Sequence, residues 1–483
     1  MAYPNVDPKA ASALGAALRR ARYSEASVLD MLGDDAYSHD REELPRDERR
    51  VAPTRLGTVV RALFLQLPVP RAELAAALEE RAVEALESIG FAERGETYRP
   101  RARILPVGDL YVASDDYPQH GGDDDPPDYV AAYTLTSRVC DCLTPRLRGA
   151  RALDVGTGSG VQALLAARQA SHVVATDINP RALAFTEVNA ALNGFTNIEV
   201  RLGSLFDSVA GERFGLITCN PPYVISPENR WAYRDSGLQG DEISRRVMLA
   251  AADHLDEGGY ATMLASWIGA SEDEADERPV EWARTLRDCD AWILSVWEAD
   301  PLDHAATWNK QLGDKAPELA AALDRWTRYL DELGAGWVSE GAILLHRRAG
   351  RRHGSRVDGI DDDALEAAGD QVRRAFGNRA ILSELRRADD LLDLRPELVM
   401  RLQLEQEVVP RRSGIAATAA RAQLVDGTSS TIETTPDALE LVQRLDGAAS
   451  LRRLVGRASP SARREALRLC RELAELGAVK LRR

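Results

Sequence analysis

Three glycines on alternate positions, Gly156, Gly158 and Gly160, follow the apolar run Ala152 to Val155 and precede a helical pattern from Val161 to Gln169. Such a run reads as a buried parallel strand. Glycines after it let the backbone turn tightly and approach a ligand beside a helix N-terminus. Alone, the loop serves a dinucleotide or is only a tight strand-to-helix turn. A second apolar run, His172 to Thr176, ends in Asp177. That carboxylate lies about 20 residues past the glycines, where an α/β nucleotide site places the acid for ribose hydroxyls. A later run, Phe214 to Cys219, ends in Asn220-Pro221-Pro222-Tyr223. The Asn220 amide oxygen and the Pro221 carbonyl can accept both N–H bonds of a planar NH2 group and fix its orientation. Paired prolines hold φ and lack N–H donors, and Tyr223 can stack on a planar substrate. The plainer alternative is a rigid Pro-Pro turn after a strand.

The elements that position these residues form an alternating series. A helix over Pro180 to Asn193, with Pro180 suited to its first position, leads to a strand over Ile198 to Leu202 and then to Phe214 to Cys219. Ligands in open α/β sheets bind at the carboxyl ends of the strands. On LDVGTGSG (153–160), TDINPRAL (176–183) and NPPY (220–223), the sequence resembles the class I S-adenosylmethionine-dependent N-methyltransferases. It is most similar to the branch of release-factor glutamine methyltransferases, over roughly residues 130–270. The resemblance implies a seven-stranded Rossmann-like α/β sheet and S-adenosyl-L-methionine as cofactor. It implies cofactor contacts at Asp154, Gly156, Thr157, Gly158, Gly160, Asp177, Ile178, Ser204, Leu205 and Asn220. In this reading Asp154 anchors the loop and Ser204 stands where the family often has an acidic or amide residue beside adenine. Catalytic roles fall to Asn220, Pro221 and Tyr223. A helix over Tyr129 to Leu143 closes over the methionine end, with Thr134, Thr136 and Ser137 as hydroxyls for its carboxylate. No general base and no metal are implied.

The chain has 483 residues, a formal charge of −15 and 45% hydrophobic residues. It is long enough for more than one domain and lacks the overall basic footprint of a nucleic-acid binder. Five cysteines without a CxxC pair or zinc spacing suit a reducing, cytoplasmic setting. No apolar run approaches membrane-spanning length.

Three regions are expected. Residues 1–115 read as helices followed by a hairpin over Tyr98 to Leu105 and Leu110 to Ser114, a winged-helix-like module. Residues 1–128 carry 24 acidic and 16 basic residues, which favours protein or domain contact over nucleic acid. Residues 116–349 hold the sheet, with a linker over Gly121 to Asp128, a glycine-containing lid over Val224 to Glu242 that includes Trp231, and closing strands at Trp292 to Trp297 and Ala342 to Arg347. The basic run Arg347 to Arg356 reads as a linker to residues 350–483, a second winged-helix-like module with helices over Asp361 to Phe376 and Ile381 to Leu392.

The sequence thus reads as an enzyme methylating a planar amide or amino nitrogen, with a protein glutamine side chain as acceptor. An RNA or DNA exocyclic amine and a small-molecule amine are the alternatives, and RNA contact by the flanking modules stays open. A non-catalytic scaffold would be free to lose Asn220 or the glycines, and both are intact.

Overall fold

The structure, a computed structural model, describes residues 4–38, 43–115, 126–229, 233–313, 315–350, 353–361, 365–411 and 414–482. Gly121 to Asp125 of the expected linker, Gly121 to Asp128, and the expected lid residue Trp231 lie outside these residues. At the centre is a sheet built from β1 (Arg151–Val155), β2 (His172–Asp177), β3 (Ile198–Leu202), β4 (Phe214–Cys219), β5 (Leu255–Gly269), β6 (Cys289–Ala299), β7 (Trp337–Arg347) and β8 (Ser355–Gly359). Their spatial order is β8-β6-β7-β5-β4-β1-β2-β3. Strands β1 to β5 run parallel, β7 is antiparallel to β5 and β6, and β8 pairs parallel with β6. The chain order reverses between β1 and β4, so the crevice at their carboxyl ends is the switch point where such sheets bind ligands.

The sheet has eight strands, one more than expected. Strand β8 begins in the last two residues of the stretch read as linker, Arg347 to Arg356, and lies beyond residue 349. Its sequence Ser355-Arg356-Val357-Asp358-Gly359 has a single apolar residue, so no strand period shows. Side chains fix it instead: Trp292 Nε1 donates to Asp358 Oδ2 at 2.7 Å, and Arg356 forks onto Asp358 at 2.6 and 2.7 Å.

Helices α1 (Leu135–Leu143), α2 (Val161–Ala167), α3 (Pro180–Asn193), α4 (Glu242–His254), α5 (Pro301–Trp308) and α6 (Ala316–Glu332) surround the sheet. The first is shorter than the expected Tyr129 to Leu143. Thr134 caps it, accepting from Ser137 N at 3.2 Å, and Asp115 takes the Val130 N–H at 2.9 Å. Those bonds hold residues 129–134 out of the helix.

Both flanking regions share apolar cores with the sheet layer. On one side Leu14, Leu18, Leu86 and Val112 cluster with Leu164, Phe185 and Leu192 of α2 and α3. The hairpin Ala102–Val107 and Leu110–Asp115 is bonded to α3 by two side-chain amides. Asn189 bonds both the N–H and the carbonyl of Ala113, each at 2.8 Å, and Asn193 does the same for Tyr111 at 2.8 and 2.7 Å. Past the sheet, Leu143, Trp292 and Leu344 share a core with Phe376, Leu382 and Leu469. There one helix, Gly369–Glu384, and a 3-10 turn, Ala388–Asp393, replace the two helices expected at Asp361 to Phe376 and Ile381 to Leu392. The hairpin Leu402–Arg411 and Gly414–Leu424 precedes the strand Thr431–Thr434 and the helix Pro460–Glu475.

Candidate active site

The glycine loop joins β1 to α2. Gly156, Gly158 and Gly160 have φ of +67°, +56° and +84°, the left-handed region that favours glycine. A Cβ on Gly156 or Gly158 would meet no atom within 4 Å, whereas one on Gly160 would stand 3.0 Å from Thr186. The first two therefore face open space and the third is pressed against α3. Two alternate glycines facing open space leave room for a ligand against bare backbone.

Asp154 sits beneath this loop, 2% exposed. One oxygen accepts from Thr157 Oγ1 at 2.7 Å and Ala163 N at 3.1 Å, the other from Thr218 Oγ1 at 2.9 Å. Burial pushes its carboxyl up to about 6, against the pull of those three donors. Asp154 thus ties the loop, the first turn of α2 and β4 together.

Asp177, at the end of β2, accepts from Gly158 N at 2.9 Å and Asn179 N at 2.8 Å. Burial raises its pKa, while the Asn179, Gly158 and Ile178 amides lower it. The carboxylate therefore stands directly against the glycine loop. Beside it Ile178 is 59% exposed. Gly203 N donates to the Asp177 carbonyl at 3.0 Å, which brings the Ser204–Leu205 turn alongside. Ser204 is exposed and Leu205 half-buried, with φ of +47°.

Asn220 follows β4, the strand next to β1, so it emerges on the same sheet edge as the glycine loop. Its Nδ2 reaches Thr136 Oγ1 at 3.4 Å. Thr136 and Ser137 hydroxyls in turn lie 2.9 and 3.1 Å from Thr134 Oγ1, at the start of α1. Of the three hydroxyls singled out in the sequence, Thr136 thus meets Asn220, and Thr134 links it to Ser137. Pro221 is buried and Pro222 half-buried. Tyr223 is 8% exposed and clusters with Val139, Cys140 and Leu264, so its ring mainly seats the Pro-Pro turn in the core. The Ser266 hydroxyl, on β5, fastens that turn by donating to the Tyr223 carbonyl.

Sequence reasoning passed over several residues that build this site. Asn189 donates to the Ser159 carbonyl at 2.8 Å as well as to Ala113, so the hairpin and the glycine loop share one amide. Two asparagines four apart on α3, Asn189 and Asn193, were the legible signal. Glu340 on β7 was another, a lone carboxylate in an apolar strand. It accepts from Trp308 Nε1 at 2.7 Å, and Nδ1 of the fully buried His304 is 3.8 Å away. Burial pushes Glu340 up to about 7, against the Trp308 hydrogen bond. It pulls His304 down to about 4, against the bond to the Ile225 carbonyl.

Comparison with known proteins bears on the central region. Residues 136–268 match the methyltransferase small domain. The chain is 35% identical over 147 residues to the release factor glutamine methyltransferase of Geobacter sulfurreducens, covering 28% of this chain and 51% of that one. It is 39% identical over 152 residues to the protein of the same name from Cereibacter sphaeroides, covering 29% and 53%. A ribosomal protein uL3 glutamine methyltransferase from Bordetella pertussis is 32% identical over 169 residues, covering 31% and 54%. The chain spans about half the length of the curated relatives it matches. Residues 20–103 match a domain of unknown function (DUF7059). No helix among the described residues is long and apolar enough to cross a membrane.

Proposed function

We propose that this chain is an S-adenosylmethionine-dependent methyltransferase that methylates the side-chain nitrogen of a protein glutamine. The observation that carries the reading is the placement of Asn220 at the carboxyl end of β4, on the same sheet edge as the glycine loop and Asp177. The relatives' names support a protein glutamine as acceptor, and a net charge of −15 suits a protein better than a nucleic acid.

The site residues fit the cofactor. Gly156 and Gly158 leave open space on their Cβ side, Asp177 offers remaining lone pairs to ribose hydroxyls, and Ile178, Ser204 and Leu205 form the wall for adenine. Thr134, Thr136 and Ser137 stand for the carboxylate end. The bound cofactor supplies a methyl group on a sulfonium.

An amide nitrogen is a poor nucleophile because its lone pair is delocalised. Asn220 Oδ1 and the Pro221 carbonyl accept its two N–H bonds, hold the nitrogen toward the glycine loop and favour positive charge developing on it. The contact with Thr136 sets the Asn220 amide so that Nδ2 faces α1 and Oδ1 is left for the acceptor. Tyr223, buried among Val139, Cys140 and Leu264, supports the Pro-Pro turn from below rather than stacking on the substrate as the sequence suggested. The proton leaves after transfer, so no general base is required. The flanking regions, residues 1–115 and 350–483, brace the site and extend the surface for a protein acceptor.

Asn220→Ala tests this assignment. Calorimetry is expected to show cofactor affinity near wild type, while turnover on purified release factor falls at least about 100-fold, the scale of a lost positioned donor or acceptor. Equal turnover in the variant would remove Asn220 from the chemistry.

A further inference from the structure

We propose that the segment between β6 and β7, residues 300–336, is a clamp that sets the loop after Tyr223, with Glu228 as its positioning residue. This rests on the reading of that loop as acceptor-facing. Strands β6 and β7 are antiparallel neighbours, and such a pair needs only a turn of about two to five residues. Here α5 and α6 fill the connection instead, and they pack on the loop.

The apolar contacts come first. Val224 clusters with Ala305 and Trp326, and Ile225 with Leu330, Ala335 and Val338. Trp326 is fully buried. Polar bonds then fasten the loop at three separate points. Nε2 of His304 donates to the Ile225 carbonyl at 2.9 Å. The Glu228 carboxylate accepts from the Arg325 guanidinium and, at 3.4 Å, from Trp326 Nε1 on α6. Its other oxygen accepts from Arg234 Nη2, on the loop's returning limb, at 3.2 Å. Farther on, Gly240 N donates to Tyr329 Oη at 2.8 Å.

Glu228 is the joint of this arrangement. One carboxylate, 13% exposed, links the outgoing limb, the returning limb and α6. Arg234 adds to the union, with its guanidinium 5.7 Å from the Trp326 ring centroid and paired with the buried Asp235 at 2.8 Å. Charge-assisted bonds at low exposure are the strong ones. The outgoing limb begins at Tyr223, so its anchorage is transmitted to Pro221 and Asn220 through a short, proline-stiffened chain. Glu228 touches no reacting atom in this scheme. It acts by holding the backbone that presents Asn220.

The test is Glu228→Gln, which keeps size and one acceptor oxygen but removes the charge. Hydrogen exchange is read over residues 224–229 and 233–241, with residues 153–177 as the internal reference. The clamp predicts exchange at least about tenfold faster in the loop and unchanged in the reference, with S-adenosylmethionine affinity within about twofold of wild type. On purified release factor kcat is expected to fall about tenfold while KM for S-adenosylmethionine holds. Arg325→Gln, a half-exposed change on α6, should reproduce the loop effect should Glu228→Gln fold poorly. Unchanged loop exchange in both variants, or acceleration in the reference segment to the same degree, would overturn the proposal. The exchange readings need no acceptor. A wild-type chain that methylates nothing would therefore count against the function reading and leave exchange to decide the clamp.

Discussion

At the residue scale the site separates groups spent on architecture from groups left for a ligand. Asp154 is consumed by Thr157, Ala163 and Thr218, whereas Asp177 takes two backbone N–H groups and keeps further lone pairs at the glycine loop. Asp177→Ala is accordingly expected to weaken S-adenosylmethionine binding about tenfold to a hundredfold, the range of a charge-assisted hydrogen bond pair. Calorimetry showing unchanged affinity would refute the ribose role. Glu340 makes a second residue-scale prediction, through pH. Its carboxyl rises from an ordinary 4.5 to about 7 on burial. Between those values the folded chain keeps a proton that the unfolded chain has released, so this group's contribution to stability is lost as pH rises through 7. His304, pulled from 6.5 down to about 4, works in the opposite sense, and its contribution is lost as pH falls. The two slopes offset each other over their shared window, near pH 4.5 to 6.5. Glu340→Gln removes only the first. The variant should gain about 2 kcal/mol over wild type at pH 8 relative to pH 5, by urea denaturation. A gain larger at pH 5 would contradict this.

At the element scale, the sheet and its loops were legible because each strand is a short apolar run closed by a residue with its own chemistry. Gly156, Asp177 and Asn220 all stand at or just past carboxyl ends, and α3 has the expected bounds of Pro180 to Asn193. Strand β8 was illegible for the opposite reason, since polar bonds from Trp292 and within Arg356–Asp358 hold it. The start of α1 was misjudged because the capping role of Thr134 and the distant Asp115 carboxylate decide where helix begins. Asp115 also pairs with Arg181 at the start of α3, both fully or nearly fully buried, with Arg181 Nε donating at 3.0 Å. That contact joins residues 66 positions apart only in the folded chain, and no local pattern announces it. Asp115→Ala would strand a buried guanidinium, at a cost of about 3–5 kcal/mol. A fall in melting temperature of less than a few degrees would show the pair to be dispensable.

At the scale of the whole molecule, α1 is the shared member. Its first turn meets Asn220 through Thr136, and its far side joins the last third of the chain. Arg138 Nη2 donates to the Leu365 carbonyl at 2.7 Å, and Ala368 N donates to the Cys142 carbonyl at 2.7 Å. A Cβ on Gly369 would stand 2.4 Å from the Thr144 carbonyl oxygen. Composition divides the sequence into regions, but it does not reveal that their cores are continuous, because the contacts are between residues more than two hundred positions apart. A chain ending at residue 360 would expose Trp292 and Leu344, both fully buried. It is expected to aggregate rather than yield a monodisperse sheet domain on size exclusion. A soluble, cofactor-binding product would show the last region to be an appendage.

The central claim is that the methyl acceptor is a protein amide. Tritiated S-adenosylmethionine, this chain and a lysate lacking it test that most directly, with the labelled products divided between protease and RNase. The account predicts label that protease removes and RNase does not, residing on glutamine in the labelled band. Label removed by RNase alone would contradict it and pass the acceptor site to a nucleic acid base.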